Sequence, residues 1–183
     1  MITILIIIGR TCSGKDTVVN KLVKEQGFKK LITYTSRPKR KGEKNGITYH
    51  YILENEFKQK INEGFFAEWK TYNTEFGIWY YGTALADFGK ADDKTVIILT
   101  PDGYRDVKYK LPANSKAIYI YANNATIKKR LIKRGDDEKE AQRRLEHDIE
   151  DFKGIENEVD KIIYNNFDDD INNVVDKIIK FVR

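Results

Sequence analysis

A second cysteine is missing from this sequence. Cys12 is the only one in 183 residues, so no disulfide forms within the chain, and that usage fits a reducing compartment. Long apolar runs are missing as well. The run from Ile2 to Ile8 is far shorter than the ~18–20 residues that cross a bilayer, and it lacks the basic start and small-residue cleavage site of a signal peptide. No membrane partner is expected, and the cytoplasm is the expected location. Histidine is scarce. His50 and His147 have no companions that suggest a metal centre or nucleophilic catalysis, and both are expected to be structural or exposed. Repeats, low-complexity tracts and long linkers are also absent.

What is present describes a soluble globular chain, with 40% hydrophobic and 33% charged residues. The length suggests one domain, 1–183, able to hide roughly 70% of its unfolded surface. Net charge is +5, and much of the basic excess reads as solvated surface. Two clusters stand apart: Arg37, Lys39, Arg40, Lys41 and Lys44, then Lys128, Lys129, Arg130, Lys133 and Arg134. Clusters of this kind bind nucleic acid or free phosphates.

Apolar runs alternate with helical patterns. Residues 2–8, 95–99, 117–121 and 161–164 read as short buried strands. Helical patterns cover 15–25, 102–109, 124–134, 137–153 and 169–182. That alternation predicts an α/β fold, a parallel sheet covered by helices. Residues 34–88 break the rhythm. They are aromatic and turn-rich, alternate at 47–52 and 65–69, and predict a small mixed β insertion carrying a helix at 54–63.

Gly9-Arg10-Thr11-Cys12-Ser13-Gly14-Lys15 lies between a predicted strand and a predicted helix, the context that a Gly-x-x-x-x-Gly-Lys phosphate loop requires. Its glycines let successive N–H groups face one anion, and the helix N-terminus adds about half a positive charge. Lys15 is placed to reach the outer phosphates of ATP. The hydroxyl residue usual after the lysine, a Mg²⁺ ligand, is here Asp16, followed by Thr17. Two readings of Asp16 stay open: a Mg²⁺ ligand, since carboxylates also hold that ion, or a first-turn acid that favours the helix dipole. Cys12 reads as a small side chain that fits the loop, although a helix N-terminus can also lower a thiol pKa.

The segment Thr33-Tyr-Thr-Ser-Arg37-Pro-Lys-Arg40-Lys-Gly42-Glu43-Lys-Asn-Gly46-Ile-Thr-Tyr49-His-Tyr51 adds a second anion site, because two arginines three apart can clamp a phosphate dianion. It resembles the acceptor signature of guanylate kinases, with Ser36 in place of the second threonine. The resemblance runs nearly the whole chain, 2–182. It implies a P-loop NTPase three-layer fold, with a core at 1–33, 89–125 and 155–183, an acceptor-binding insertion at 34–88, and a helical lid at about 126–154. It implies that Arg37, Arg40 and Tyr49 bind the acceptor phosphate, that Thr33 lies near the acceptor, and that Glu43 braces the arginines. Phe65-Phe-Ala-Glu68-Trp69 is similar to the family segment whose glutamate reads guanine. Tyr81-Gly82-Thr83 is similar to its phosphate- and base-contacting segment, although the stretch between the two is about four residues longer here. Arg130, Arg134 and Arg144 match lid arginines that neutralise charge on the transferring phosphoryl group. Ile162-Ile-Tyr-Asn165 matches the last strand, leading to an asparagine beside the nucleotide base.

One family feature differs. The strand at 96–99 is normally followed by Asp-x-Asp, whose second acid helps read guanine; here Leu99-Thr-Pro-Asp102-Gly places an acid about one residue away. The resemblance therefore implies direct in-line transfer from Mg-ATP to GMP or dGMP, with lid and insertion closing to exclude water. Other readings are carried: a deoxynucleoside monophosphate kinase with different base choice, a non-catalytic protein-binding module, a nucleic-acid binder, and a kinase for a phosphorylated sugar, against which the base-contacting insertion weighs. Retention of Lys15 and the lid arginines weighs against the second. The placing of the basic residues on kinase motif positions weighs against the third. Oligomeric state is not legible.

Overall fold

The computed structural model describes residues 4–92, 94–135 and 137–183, the side chain of Glu140 apart. In chain order the elements are β1 (Ile4–Ile8), α1 (Lys15–Gln26), β2 (Lys29–Lys30), β3 (Tyr34–Thr35), β4 (His50–Tyr51), α2 (Glu54–Asn62), β5 (Phe66–Thr74), β6 (Gly77–Ala84), α3 (Leu85–Phe88), β7 (Thr95–Ile98), α4 (Pro101–Val107), β8 (Lys116–Tyr121), α5 (Asn124–Arg134), α6 (Glu138–Asp151), β9 (Lys161–Tyr164) and α7 (Ile171–Val182), with a 3-10 turn at Ile155–Asn157. They form two compact units: Met1–Lys30 with Asp92–Pro101 and Pro112–Arg183, and Leu31–Ala91 with Asp102–Leu111. Among the described residues no helix is long and apolar enough to cross a membrane.

The first unit holds a five-stranded sheet in the order β2-β7-β1-β8-β9, with every pairing parallel. Its central strand β1 is an unbroken apolar run, and none of its five residues is more than 1% exposed. A strand flanked by two others and covered on both faces has no position left for a polar side chain, which is why the run does not alternate. Leu5 and Ile7 pack with Val18, Val19 and Leu22 of α1 and with Val174, Val175 and Ile178 of α7. Each such side chain contributes about 1.5–3 kcal/mol by burial. The expected strands form as β1, β7, β8 and β9; positions 2–3 of the first lie outside the described residues. The expected helix at 124–134 is α5, and 137–153 and 169–182 shorten slightly to α6 and α7. β1 runs straight into residues 9–14 and then α1. This sets the glycine loop at the carboxyl end of the middle strand of an open parallel sheet, the usual ligand position in such sheets.

The second unit is built on a mixed sheet, β4-β3-β6-β5. β3 pairs parallel with β4 and antiparallel with β6, and β5 pairs antiparallel with β6. Phe57 of α2 is fully buried against this sheet, its ring stacked on Phe66 at 4.3 Å and tilted against Tyr80 at 5.3 Å. The expected helix at 54–63 forms as α2. Most of α4 groups with this unit.

Candidate active site: a phosphate loop and an arginine clamp

In the first unit the chain leaves β1 at Gly9 and enters α1 at Lys15. Both glycines are fixed by space. A Cβ on Gly9 would lie 2.4 Å from Ser13 Oγ and 3.0 Å from the Ile120 carbonyl; one on Gly14 would lie 2.3 Å from Asn165 Nδ2, at a backbone φ of +93°. Gly14 is also the N-cap of α1 and brings no side-chain cap, so the first N–H groups of the helix stay available to an anion. The loop is held from inside. Ser13 N–H donates to the Arg10 carbonyl at 3.1 Å, and buried Asn165 donates from Nδ2 to the Ser13 carbonyl at 2.8 Å. Cys12 takes a left-handed conformation, φ 52°, without being glycine.

Charged side chains gather around the loop. Lys15 curls back so that Nζ donates to the Arg10 carbonyl at 3.2 Å. Arg10, 9% exposed, donates from Nη1 to Asn124 Oδ1 at 2.8 Å. Arg130 of α5 donates from Nη1 to the Cys12 carbonyl at 3.1 Å and from Nη2 to the Asn166 carbonyl at 3.2 Å; burial lowers its pKa. Arg134 is exposed at the end of α5, and Arg144 is half-buried on α6. Asp16 and Thr17 are exposed on the first turn of α1. One participant was not foreseen. Asp148 of α6 accepts a hydrogen bond from the Thr11 backbone N–H at 2.7 Å, across 137 residues of sequence.

In the second unit, Arg37 is 4% exposed and donates from Nη2 to Glu43 Oε1 at 2.8 Å and from Nη1 to the Pro38 carbonyl at 2.7 Å. Its guanidinium sits 5.6 Å from the Tyr49 ring centre and 5.8 Å from that of Tyr51. Burial disfavours its charge, but the hydrogen bond it donates to Glu43 raises its pKa. Glu43 is the hinge of the cluster. Its Oε2 accepts from the Arg40 backbone N–H and the Tyr51 hydroxyl, each at 2.7 Å. Burial would raise the Glu43 carboxyl, yet the Arg37, Arg40 and Tyr51 hydrogen bonds bring it down to about 2. Tyr49 and Tyr81 meet with ring centres 6.0 Å apart, and Thr33 accepts from His50 N–H at 2.8 Å on the approach to β3. Arg40 is exposed. Arg37, Tyr49 and Tyr81 thus come together, with the buried Arg37 cation paired to Glu43. Tyr51 was missed by the sequence reading; its only signal was a second tyrosine two residues after the signature one.

The β5–β6 hairpin sets Glu68 opposite Thr83, just past a register shift between Phe66 and Glu68. Thr83 Oγ1 donates to Glu68 Oε1 at 2.6 Å, and both side chains are buried. Burial pushes the Glu68 carboxyl up to about 7, the Thr83 hydrogen bond opposes it, and the nearby Asp106 carboxylate raises it further. Glu68, Lys70 and Asp106 line an open cavity of about 610 Å³, with Lys70 and Asp106 paired at 3.1 Å. Asp102, the displaced acid, accepts from Arg105 at 3.0 Å within α4. Asp106 was not singled out in the sequence, because nothing in its spacing ties it to residue 68.

A parallel α/β sheet whose middle strand feeds a glycine loop and an uncapped helix defines a P-loop nucleotide-binding protein. Comparison with known proteins narrows the class. The family model described as guanylate kinase matches residues 1–182. Guanylate kinase of Campylobacter jejuni (strain RM1221) is 32% identical over 169 residues, 88% of this chain and 80% of that one. Guanylate kinase of Fusobacterium nucleatum subsp. nucleatum is 32% identical over 166 residues, 88% of this chain and 86% of that one. The crystal structure of guanylate kinase from Anaplasma phagocytophilum superposes with a TM-score of 0.71 at 24% identity, covering 100% of this chain and 85% of that one, a likeness of fold. The chain belongs to the guanylate kinase family, a family of ATP-dependent nucleoside monophosphate kinases.

Proposed function

We propose that this chain transfers the terminal phosphoryl group of ATP to GMP or dGMP. The observation that carries the reading is the pair of anion-holding arrangements in one chain: the uncapped loop at Gly9–Lys15, and the Arg37–Glu43–Tyr51 cluster with Tyr49 and Tyr81 beside it. In this reading residues 9–17 hold the donor, 34–88 is the acceptor-binding insertion, and about 126–154 is the lid. Thr33, Arg37, Arg40, Tyr49 and Tyr81 serve the acceptor's phosphate end, and Glu68 and Thr83 its base. The nucleophile is the acceptor's own phosphate oxygen, already anionic near neutral pH, so no strong general base is required. The chain supplies position and charge: Lys15, Arg130, Arg134 and Arg144 stabilise the negative charge that spreads over the transferring group.

The exposed carboxylate of Asp16, one residue past Lys15, is an oxygen donor of the kind Mg²⁺ takes alongside substrate phosphates and water. Asp16 would hold that ion, which when bound shields charge between the donor's phosphates. The reading is of a cytoplasmic enzyme and gives nucleic acid and membrane no part, since the basic clusters fall on acceptor and lid positions.

A coupled ADP-release assay with ATP against all ribo- and deoxyribonucleoside monophosphates tests the proposal. GMP or dGMP should be the best acceptor. A pyrimidine monophosphate preferred tenfold over both would overturn the base assignment.

A further inference from the structure

Asp148 holds a backbone N–H of the phosphate loop. Its Oδ2 accepts from Thr11 N–H at 2.7 Å, a distance typical of a charge-assisted bond. The contact joins α6 to the loop across 137 residues, so no local turn imposes it. Arg10 Nε lies 4.0 Å from the same oxygen, and this buried N–H has no hydrogen-bond partner. The Asp148 side chain is 17% exposed. Burial raises its pKa, while the Thr11 N–H and the Lys15 and Arg10 charges oppose that rise. Of the charged groups facing the carboxylate, Lys15 and Arg10 belong to the loop, and His147 on α6 faces it too.

A triphosphate needs those same donors and cations. Two anions cannot share one N–H, and in a partly buried site their repulsion is weakly screened. We propose that Asp148 is a built-in competitor of the donor nucleotide, holding Thr11 N–H and Arg10 until phosphate displaces it. The inference rests on the reading that residues 9–15 hold the donor's phosphates. Donor affinity is then set by exchange of one anion for another. The residue acts through the loop and takes no part in the chemical step. The exchange also gives the lid helix a reason to move when the donor arrives, because its own carboxylate is released from the loop.

Calorimetric titration of the full chain tests this, with ATP, inorganic tripolyphosphate and adenosine added separately to wild type, Asp148→Asn and Asp148→Ala at one salt concentration. Asparagine keeps the shape and one acceptor but removes the charge. Alanine removes both. Both variants should bind ATP and tripolyphosphate roughly tenfold tighter than wild type, the scale of one charged hydrogen bond no longer in competition, with adenosine unchanged. Unchanged or weaker phosphate binding in both variants overturns the proposal. So does an asparagine variant that matches wild type beside an alanine variant that binds more weakly, because Asp148 would then only prop the loop. An equal gain for adenosine overturns it as well, since the effect would not come from phosphate. If wild type binds neither ATP nor tripolyphosphate, the donor-loop reading itself falls and takes the proposal with it, a result distinct from normal binding that the variants fail to improve.

Discussion

In the proposed function Glu68 meets two opposed demands at once. Reading guanine asks for an acceptor-only carboxylate facing the N1–H and N2–H donors, yet burial holds the carboxyl protonated up to about 7. Below the unfolded value of 4.5 the group is protonated in both folded and unfolded chains. Between there and about 7 only the unfolded chain has lost its proton, so stability falls as pH rises across that window and levels off above it. The whole decline is on the order of 3 kcal/mol. Denaturant melts of Glu68→Gln should lack that slope. In the same window kcat/KM for GMP should climb toward a midpoint near 7 in wild type and lose that component in the glutamine variant; titration of the acceptor's own phosphate is common to both. Identical pH profiles for the two proteins would remove Glu68 from base reading.

At the scale of elements, α5 shows how a single cap carries part of the site. Asn123 accepts from Thr126 N–H at 2.8 Å, Thr126, Ile127 and Leu131 are buried, and Gly135 closes the helix in the left-handed region. Because the cap side chain is exposed and touches no part of the proposed chemistry, Asn123→Ala isolates the helix. It should cost about 1 kcal/mol, lowering Tm by roughly 2–4 °C for a chain of this size. A Tm within error of wild type would mean that packing alone sets α5. This helix was legible to the residue, because its cap, apolar stripe and terminal glycine all agree. The hairpin was less so. β5 was announced only at 65–69, and β6 not at all, since Gly77-Ile-Trp-Tyr-Tyr-Gly-Thr-Ala alternates poorly and gains its partners only in the fold. The alternation at 47–52 gives only β4, His50–Tyr51, and β2 and β3, at two residues each, are too short to show any period.

For the whole molecule, the two proposed anion sites let ligands be assigned one at a time. Each ligand that binds only the folded chain raises stability by an amount that grows with its concentration over Kd, about 2.7 kcal/mol at a hundredfold excess. ATP and GMP should therefore each raise Tm. Lys15→Met should abolish most of the ATP shift and cut kcat at least about 100-fold. Arg37→Ala should cut the GMP shift by about half or more and raise its KM roughly 10- to 100-fold. If Arg37→Ala removed the ATP shift instead, the two sites would be assigned backwards. Family, fold and kinase class were all legible, because loop, acceptor signature and lid motif are contiguous runs. What sequence could not supply were pairings made in space: Asp148 on the Thr11 N–H, Tyr51 on Glu43, and Asp106 beside Glu68.

Ile6 of β1 pairs with Ile97 on one side and Ala117 on the other. During synthesis this all-apolar segment is therefore made before both of its neighbours and waits for them. At roughly 5–20 residues per second the second of them emerges on the order of ten seconds later. Until then an all-apolar strand has at least one open edge, an invitation to pair with another nascent copy. Yield from rapid expression should thus be governed by this waiting strand more than by the stability of the finished fold, and slower synthesis or a holding chaperone should improve it.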